Sequence, residues 1–377
     1  MPAGHSANAS YWYDVSTGNW ISSTYYMNQL PSWVTELNNK KLVDQYYTQG
    51  WKTLYPIDTY TQSDSRNPGG NTEAFGKGNK FPYQLDFLIG KNYSVIEATP
   101  HGNTFTLEMA RQAITNESLG KDSVTDFLTL SLSSPDYIGH TFGPNSIEAE
   151  DDYLRLDKDL GAFIDFLDKQ IGRKDYLVFI TADHGVAHVP SFLKAHKIPA
   201  GSYDTDKLTA DLNAAMQDRF RVSGAVVGVS NNQVFLNRQD LGKGKTSMAD
   251  IYKFIADYLT TLPFVARAFP LPDVNEVPLN SVIKEKVING YYPQRCGDIQ
   301  IIPKPQFIEG FEKSGTTHGN WNPYDAHIPL IWFGWNIKHG QTFSAASMSD
   351  IAPTISSLLH IQSPSGCVGK PIKEVVE

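Results

Sequence analysis

Five side chains in three short stretches have the chemistry to hold metal ions. Asp136 and His140 stand four residues apart, Asp183 and His184 are neighbours just before Gly185, and His318 lies between Thr317 and Gly319. Carboxylate and imidazole are donors that suit zinc and its borderline neighbours, which in catalytic sites take three protein ligands and keep one position open. Asp136, His140 and His318 make one such set. Asp183 and His184 would serve a second ion about 4 Å away, the spacing at which two metals clamp the attacking and leaving oxygens of a phosphoryl transfer. Taken singly, each stretch has a plainer reading: an Asp-His-Gly after a strand is usually a turn whose carboxylate satisfies backbone donors. Their joint position carries the argument, because functional groups of open α/β sheets gather outside the carboxyl ends of strands.

The elements that must position them can be read from the pattern. Residues 125–133 are β-rich and stop at Ser134 and Pro135, as a strand feeding a loop should. From 147 to 171, Leu156, Leu160, Phe163 and Leu167 recur on one helical face. Asp151, Asp152, Asp157 and Asp159 load the early turns of that helix with the charge its dipole favours. Residues 176–182 and 328–334 are apolar runs of the kind buried on both faces of a parallel sheet. Strand, helix and strand over 125–182 read as a right-handed βαβ unit. A helix follows at 350–360, with Pro353 in its first turn.

Between these parts, 224–229 and 233–236 flank a hairpin turn, 248–262 carries a helical face, and 264–269 and 298–302 look like strands. The layout expected is a loop-rich part with short helices over 1–120, an α/β metal-binding core over 121–190 and 311–377, and an inserted α+β subdomain over 191–310. Residues 63–70 read as a turn cluster, and 30–38 as a short helix with Pro31 near its start.

Composition narrows the function. The chain has 377 residues, 41% hydrophobic, and no apolar run reaches the 18 or so residues of a membrane span. With 32 Lys+Arg against 40 Asp+Glu the net charge is −8, so nothing basic is in surplus to neutralise a nucleic acid. Two cysteines, Cys296 and Cys367, exclude a disulfide scaffold or a Cys-rich zinc module and leave one bridge possible. The residues from Met1 to Asn8 lack the basic, apolar and small-residue segments of a secretory signal.

The Asp136/His140, Asp183/His184/Gly185 and Thr317/His318/Gly319 motifs, in this order, resemble the alkaline phosphatase superfamily, including its phosphodiesterase/nucleotide pyrophosphatase branch. The flanking residues 134–144 and 327–334 are most similar to single-chain bacterial alkaline phosphatases of the PafA type. The resemblance implies an α/β/α sandwich with a mostly parallel central sheet. It implies two Zn2+ ions, the first on Asp136, His140 and His318, the second on Asp183 and His184. It implies hydrolysis of small phosphate esters through a phosphoryl-enzyme intermediate, by a monomer that is periplasmic or secreted. The family's nucleophile on a helix N-terminus, a further Asp of its second zinc site, and its phosphate-binding Asn, Lys and Arg have no counterpart here. The resemblance places all of them upstream of Met1.

Thr17, Ser22, Ser23, Thr24 and Arg66 are no substitutes for them and read as solvated polar residues. His5, His101, His188, His196, His327, His339 and His360 read as structural or exposed, with His188 the one placed to support a ligand. The expectation is therefore that Met1 is an internal residue and the chain the carboxy-terminal portion of a longer exported enzyme. Without its N-terminal strand and nucleophile helix it is expected to be poorly soluble and inactive by itself. Within the enzyme reading, a phosphodiesterase/nucleotide pyrophosphatase is the alternative to a phosphate monoester hydrolase. A catalytically inactive metal-binding chain is the alternative to both.

Overall fold

Aromatic residues dominate the first third of the chain because they are its core. In the computed structural model, which describes residues 4, 6–61, 63, 75, 80–242, 246–310 and 315–377, Trp33, Tyr47, Trp51, Tyr83 and Phe105 pack with Ile138 and Phe142 in one buried cluster. The elements around it are a hairpin of β1 (Trp12–Asp14) and β2 (Asn19–Ile21), then α1 (Ser32–Asn39), α2 (Leu42–Gln49) and α3 (His101–Asn116). The hairpin adds strand to a region expected to hold only loops and short helices. The turn cluster over 63–70 lies, apart from Ser63, outside the described residues, as do His5 and Arg66. Met1, which the expected nucleophile would precede, also lies outside the described residues.

The first metal-site pair sits on a helix, not on the loop that the sequence pattern suggests. α4 (Ser134–Phe142) has Pro135 in its first turn and ends at Gly143, whose φ of 84° lies where glycine is favoured. Spacing of four then puts Asp136 and His140 on one face. Preceding it, 125–133 runs without ladder hydrogen bonds, and Val124, Phe127 and Leu128 are exposed. It is not a strand among the described residues, because no neighbour pairs with it.

α5 (Ile147–Gln170) is capped by Ser146, whose side chain accepts from the Ala149 N–H, with Glu148 and Glu150 in its first turn. Asp151 and Asp152, expected to load the early turns with the charge that the dipole favours, are both fully buried. Asp151 accepts from the Trp51 indole at 2.8 Å and from Arg155 at 2.7 Å. Asp152 accepts from the Asn103 amide of α3 at 3.0 Å.

β3 (Leu177–Thr181) pairs antiparallel with β10 (Leu330–Gly334), from Leu330 opposite Thr181 to Gly334 opposite Leu177. The two apolar runs were expected to be buried on both faces of a parallel sheet. They are half-buried partners in a two-stranded ladder instead, with Ile331 exposed, since each has one ladder neighbour among the described residues. The chain between them holds α6 (Pro190–Ala195), β4 (Gly201–Tyr203), α7 (Thr205–Phe220), β5 (Val226–Ser230), β6 (Gln233–Leu236) and α8 (Arg238–Leu241). It continues through α9 (Met248–Thr260), β7 (Val265–Pro270), α10 (Ser281–Gly290), β8 (Ile299–Pro303), β9 (Phe307–Glu309) and the short α11 (Pro323–Ala326). Strands β5-β6-β8-β7 form an antiparallel sheet, and β4 with β9 is the one parallel pair among the described residues.

Leu212 and Met216 of α7 and Ile251, Ile255 and Leu259 of α9 fill the core of that sheet. α12 (Ile351–Leu358) and α13 (Lys373–Val376) close the chain. Cys296 and Cys367 are both free thiols, so the bridge left open by the sequence is not formed.

Asp152 makes the helix pair sensitive to pH. Its Oδ2 and the Asn103 Oδ1 are both buried without a partner, although the other atoms of the two groups are bonded to each other. A proton on Asp152 satisfies both oxygens at once, and burial, with Asp151 beside it, pushes the carboxyl up to about 7. The folded chain thus binds a proton that the unfolded chain releases near pH 4, and stability falls as pH rises through 7. The slope is about 1.4 kcal/mol per pH unit between those limits. Asp152→Asn supplies a permanent donor to Asn103. Denaturant titrations at pH 5 and pH 8 should show a stability gap between the two proteins that swings toward the variant at pH 8. An unchanged gap would show that Asp152 is charged.

Candidate metal centre

Asp136, His140 and His318 come together with one donor atom from each within 4.8 Å of the others. The Asp136 Oδ1 is 3.4 Å from the His140 Nε2 and 3.8 Å from the His318 Nε2. Metal–ligand bonds of about 2.0–2.2 Å in a tetrahedron set donors roughly 3.4 Å apart, so two imidazoles and a carboxylate at these separations fit a zinc-like ion. Their side chains are about a third exposed, which leaves one side of the group open to solvent.

His184 also faces this group. Its Nε2 is 3.8 Å from the Asp136 Oδ1, and its ring stacks on His318 at 3.4 Å between centroids. Asp183 is 3.5 Å from the same Nε2 but 86% exposed. Among the described residues, only Asp136, His140 and His318 form a group of three close donors, so Asp183 and His184 are not joined by a third ligand of their own.

Thr316 ties the three stretches into one seam. Its carbonyl accepts from the His140 ring at 2.7 Å, which leaves Nε2 as the lone pair aimed at Asp136. The Thr316 N–H donates to the His140 carbonyl at 3.1 Å, and its hydroxyl donates to the Ala187 carbonyl at 2.8 Å. The Ala187 N–H in turn reaches the Thr317 carbonyl at 3.3 Å. On the other side, the Gly185 N–H donates to the Asp325 carbonyl at 2.7 Å. A Cβ on Gly185 would lie 2.1 Å from the Tyr324 carbonyl oxygen, so only glycine admits that approach. The Asp-His-Gly turn therefore has its Gly for packing.

Charge is arranged to keep the ring of His318 neutral. Burial lowers its pKa first, and His184 and His140 beside it lower it further, against the opposing pull of Asp136. A neutral imidazole is the form that ligates a metal. Asp325, buried next to the loop that carries His318, is pushed up to about 6 by desolvation, against the backbone N–H groups of Asn320 and Gly319.

His188 has its Nδ1 2.6 Å from the Asn145 side-chain oxygen and so ties the end of α4 to the turn after β3. His101 lies 2.9 Å from the Gly50 carbonyl and stacks on Tyr46, while His196 packs on Phe192. His327, His339 and His360 are exposed. Thr316 and Asp325 escape a reading of the sequence because they act through main-chain groups, and Asn145 because its partner, the His188 ring, is 43 residues away. The one local signal is the Gly315 and Gly319 pair bracketing residues 316–318.

Comparison with known proteins gives a consistent set of relatives. A family model described as Type I phosphodiesterase / nucleotide pyrophosphatase matches residues 1–325. Alkaline phosphatase PafA of Elizabethkingia meningoseptica is 44% identical over 380 residues, covering 100% of this chain and 69% of that protein. Alkaline phosphatase PhoV of Synechococcus elongatus is 46% identical over 378 residues, covering 100% of this chain and 68% of that protein. A Myroides odoratus protein named as a calcium-transporting ATPase is 46% identical over 384 residues, covering 100% of this chain and 70% of its own. The 1.7 Å crystal structure of wild-type PafA superposes with a TM-score of 0.94 at 44% identity, covering 100% of this chain and 72% of that one.

Thr316→Val removes the hydroxyl and leaves the buried Ala187 carbonyl without its donor. A stability loss of about 1–3 kcal/mol is expected in denaturant titration. The Thr316 carbonyl on the His140 ring survives the substitution, so any weakening of divalent-metal binding, read by chelator competition, should come from the loosened loop and stay below the roughly 10-fold that loss of a ligand's own outer partner costs. Full retention of both would show that the seam does not depend on Thr316.

Proposed function

The chain belongs to the type I phosphodiesterase / nucleotide pyrophosphatase family, and on that premise we propose that it is a zinc-dependent hydrolase of small phosphate monoesters. The observation that carries this reading is the Asp136, His140 and His318 group, with donors spaced for one metal and one side open. Asp183 and His184 are assigned to a second zinc. Bound there, zinc supplies positive charge for phosphoryl and leaving-group oxygens and lowers the pKa of water. That charge matters in a chain of net charge −8, which has no basic surplus to attract a phosphate ester.

The residues of this chain do the positioning. Thr316 fixes the His140 tautomer, His184 shields one face of His318 by stacking, and the open side of Asp136 admits the substrate. The attacking hydroxyl is no member of the five, and the phosphoryl-enzyme route of the resemblance requires one at the open side. By the same reading the protein is a monomer that works in the periplasm or outside the cell. It is built as a metal-binding core over 121–190 and 311–377, with 191–310 inserted. The PafA and PhoV names support monoester cleavage. The ATPase name shares the attack of water at phosphorus, and no helix among the described residues is long and apolar enough to cross a membrane.

A second reading is metal binding without turnover. It is favoured by Asp183, which lies largely in solvent and shares no third ligand with His184 among the described residues. Zinc titration and hydrolysis assays on one preparation separate the two. Cleavage of an aryl phosphate above the metal-free control, and faster than its methyl diester, supports the hydrolase and overturns the expectation that the chain is inactive by itself. Zinc binding without cleavage supports the second reading, and a faster diester supports a phosphodiesterase. His318→Ala should weaken zinc binding by more than the roughly 10–100-fold that an outer partner contributes. Unchanged affinity would remove His318 from the ligand set.

A further inference from the structure

Beyond His318, the chain passes between two buried side chains that hold its backbone from opposite sides. Asp325, 3% exposed, accepts from the Asn320 N–H at 2.7 Å through Oδ2, and the Gly319 N–H also points to its carboxylate. Asn232, 8% exposed at the tip of the β5–β6 hairpin, donates its amide to the Gly319 carbonyl at 3.2 Å. Asn232 is itself fixed, since its side-chain oxygen accepts from the Tyr203 hydroxyl and its carbonyl accepts from the Ile301 N–H at 2.8 Å. Asp325 reaches the other ligand turn as well, through its main-chain carbonyl on the Gly185 N–H. One residue thus contacts the backbone immediately after His318 and immediately after His184.

We propose that Asp325 is a positioning residue of the metal centre, locking the His318 loop to the His184 turn, with Asn232 of the inserted sheet as the opposing jaw of the clamp. The inference rests on the metal-site reading above and extends it to residues that touch no metal. The Asp325 Oδ1 and the Asn320 Oδ1 are both buried without a partner. This predisposes the site to an amide at 325: Asp325→Asn keeps an acceptor for the Asn320 N–H and brings an N–H2 that can serve the Asn320 oxygen. Asp325→Ala removes the acceptor and leaves the Asn320 N–H without its partner.

The test uses the whole chain and its Asp325→Ala, Asp325→Asn and Asn232→Ala variants. Amide hydrogen exchange on the metal-free proteins reads the clamp directly. Exchange at Gly185, Gly319 and Asn320 should quicken in Asp325→Ala, quicken at Gly319 and Asn320 in Asn232→Ala, and stay near the parent rate in Asp325→Asn. Zinc affinity by chelator competition should fall about 10–100-fold in Asp325→Ala. The visible spectrum of bound Co2+ should change with it, and Asp325→Asn should restore both. Should Asp325→Ala fail to fold, Asn232→Ala and Asp325→Asn still decide. Unchanged exchange and affinity in Asn232→Ala would overturn the clamp, and so would an Asp325→Asn protein that exchanges freely and loses the metal. If the parent chain binds neither metal while exchange behaves as stated, the metal-site reading fails and the positioning role falls with it.

Discussion

The metal centre depends on a seam of main-chain hydrogen bonds with Thr316 at its middle. His140 and Thr316 are 176 residues apart in sequence, yet they exchange a ring-to-carbonyl bond of 2.7 Å and a backbone bond of 3.1 Å. Closing a loop of that length costs entropy that a single contact would not offset. The seam spreads the cost over Ala187, Thr317 and Gly185, each of which forms a backbone bond of its own, and the buried Ala187 carbonyl would otherwise be unpaired. Because Gly185 approaches the Tyr324 carbonyl so closely, a side chain there would push the His184 turn away from the His318 loop. Geometry at the donors is thus a product of backbone packing several residues away.

Electrostatics favours the close approach of the donors. Protonated imidazoles stacked at 3.4 Å would repel, and the lowered pKa of His318 keeps that ring neutral. Asp136 is the shared neighbour of all three rings, at 3.4 to 3.8 Å. Asp183 adds a second carboxylate 3.5 Å from the His184 ring, and a divalent cation is the natural complement to such a group.

Much of this was legible in the sequence where chemistry is carried by local spacing. The Asp136 and His140 pair, the Asp183-His184-Gly185 run, α5, β3, the β5–β6 hairpin, α9 and β10 follow from residue type and period. α4 was missed although Pro135 at its start and Gly143 at its end are helix punctuation, because the β-rich run before it suggested a strand feeding a loop. That run, 125–133, has the composition of a strand but no ladder partner, and pairing is not encoded in one segment alone. The antiparallel register of β3 with β10 was likewise out of reach, since periodicity reports burial and not neighbours. Asp151 and Asp152 read from the sequence only as charges that the helix dipole favours. Their burial depends on Trp51 and Asn103, about 50 to 100 residues away.

The central claim is that one metal ion is held by Asp136, His140 and His318. It is tested most directly by a crystal structure of the zinc-loaded protein with anomalous scattering measured at the zinc edge. The account requires a peak bonded to those three side chains at about 2.0–2.2 Å, with the remaining position open to solvent or phosphate. A zinc peak elsewhere, or none within bonding distance of His318, would contradict it.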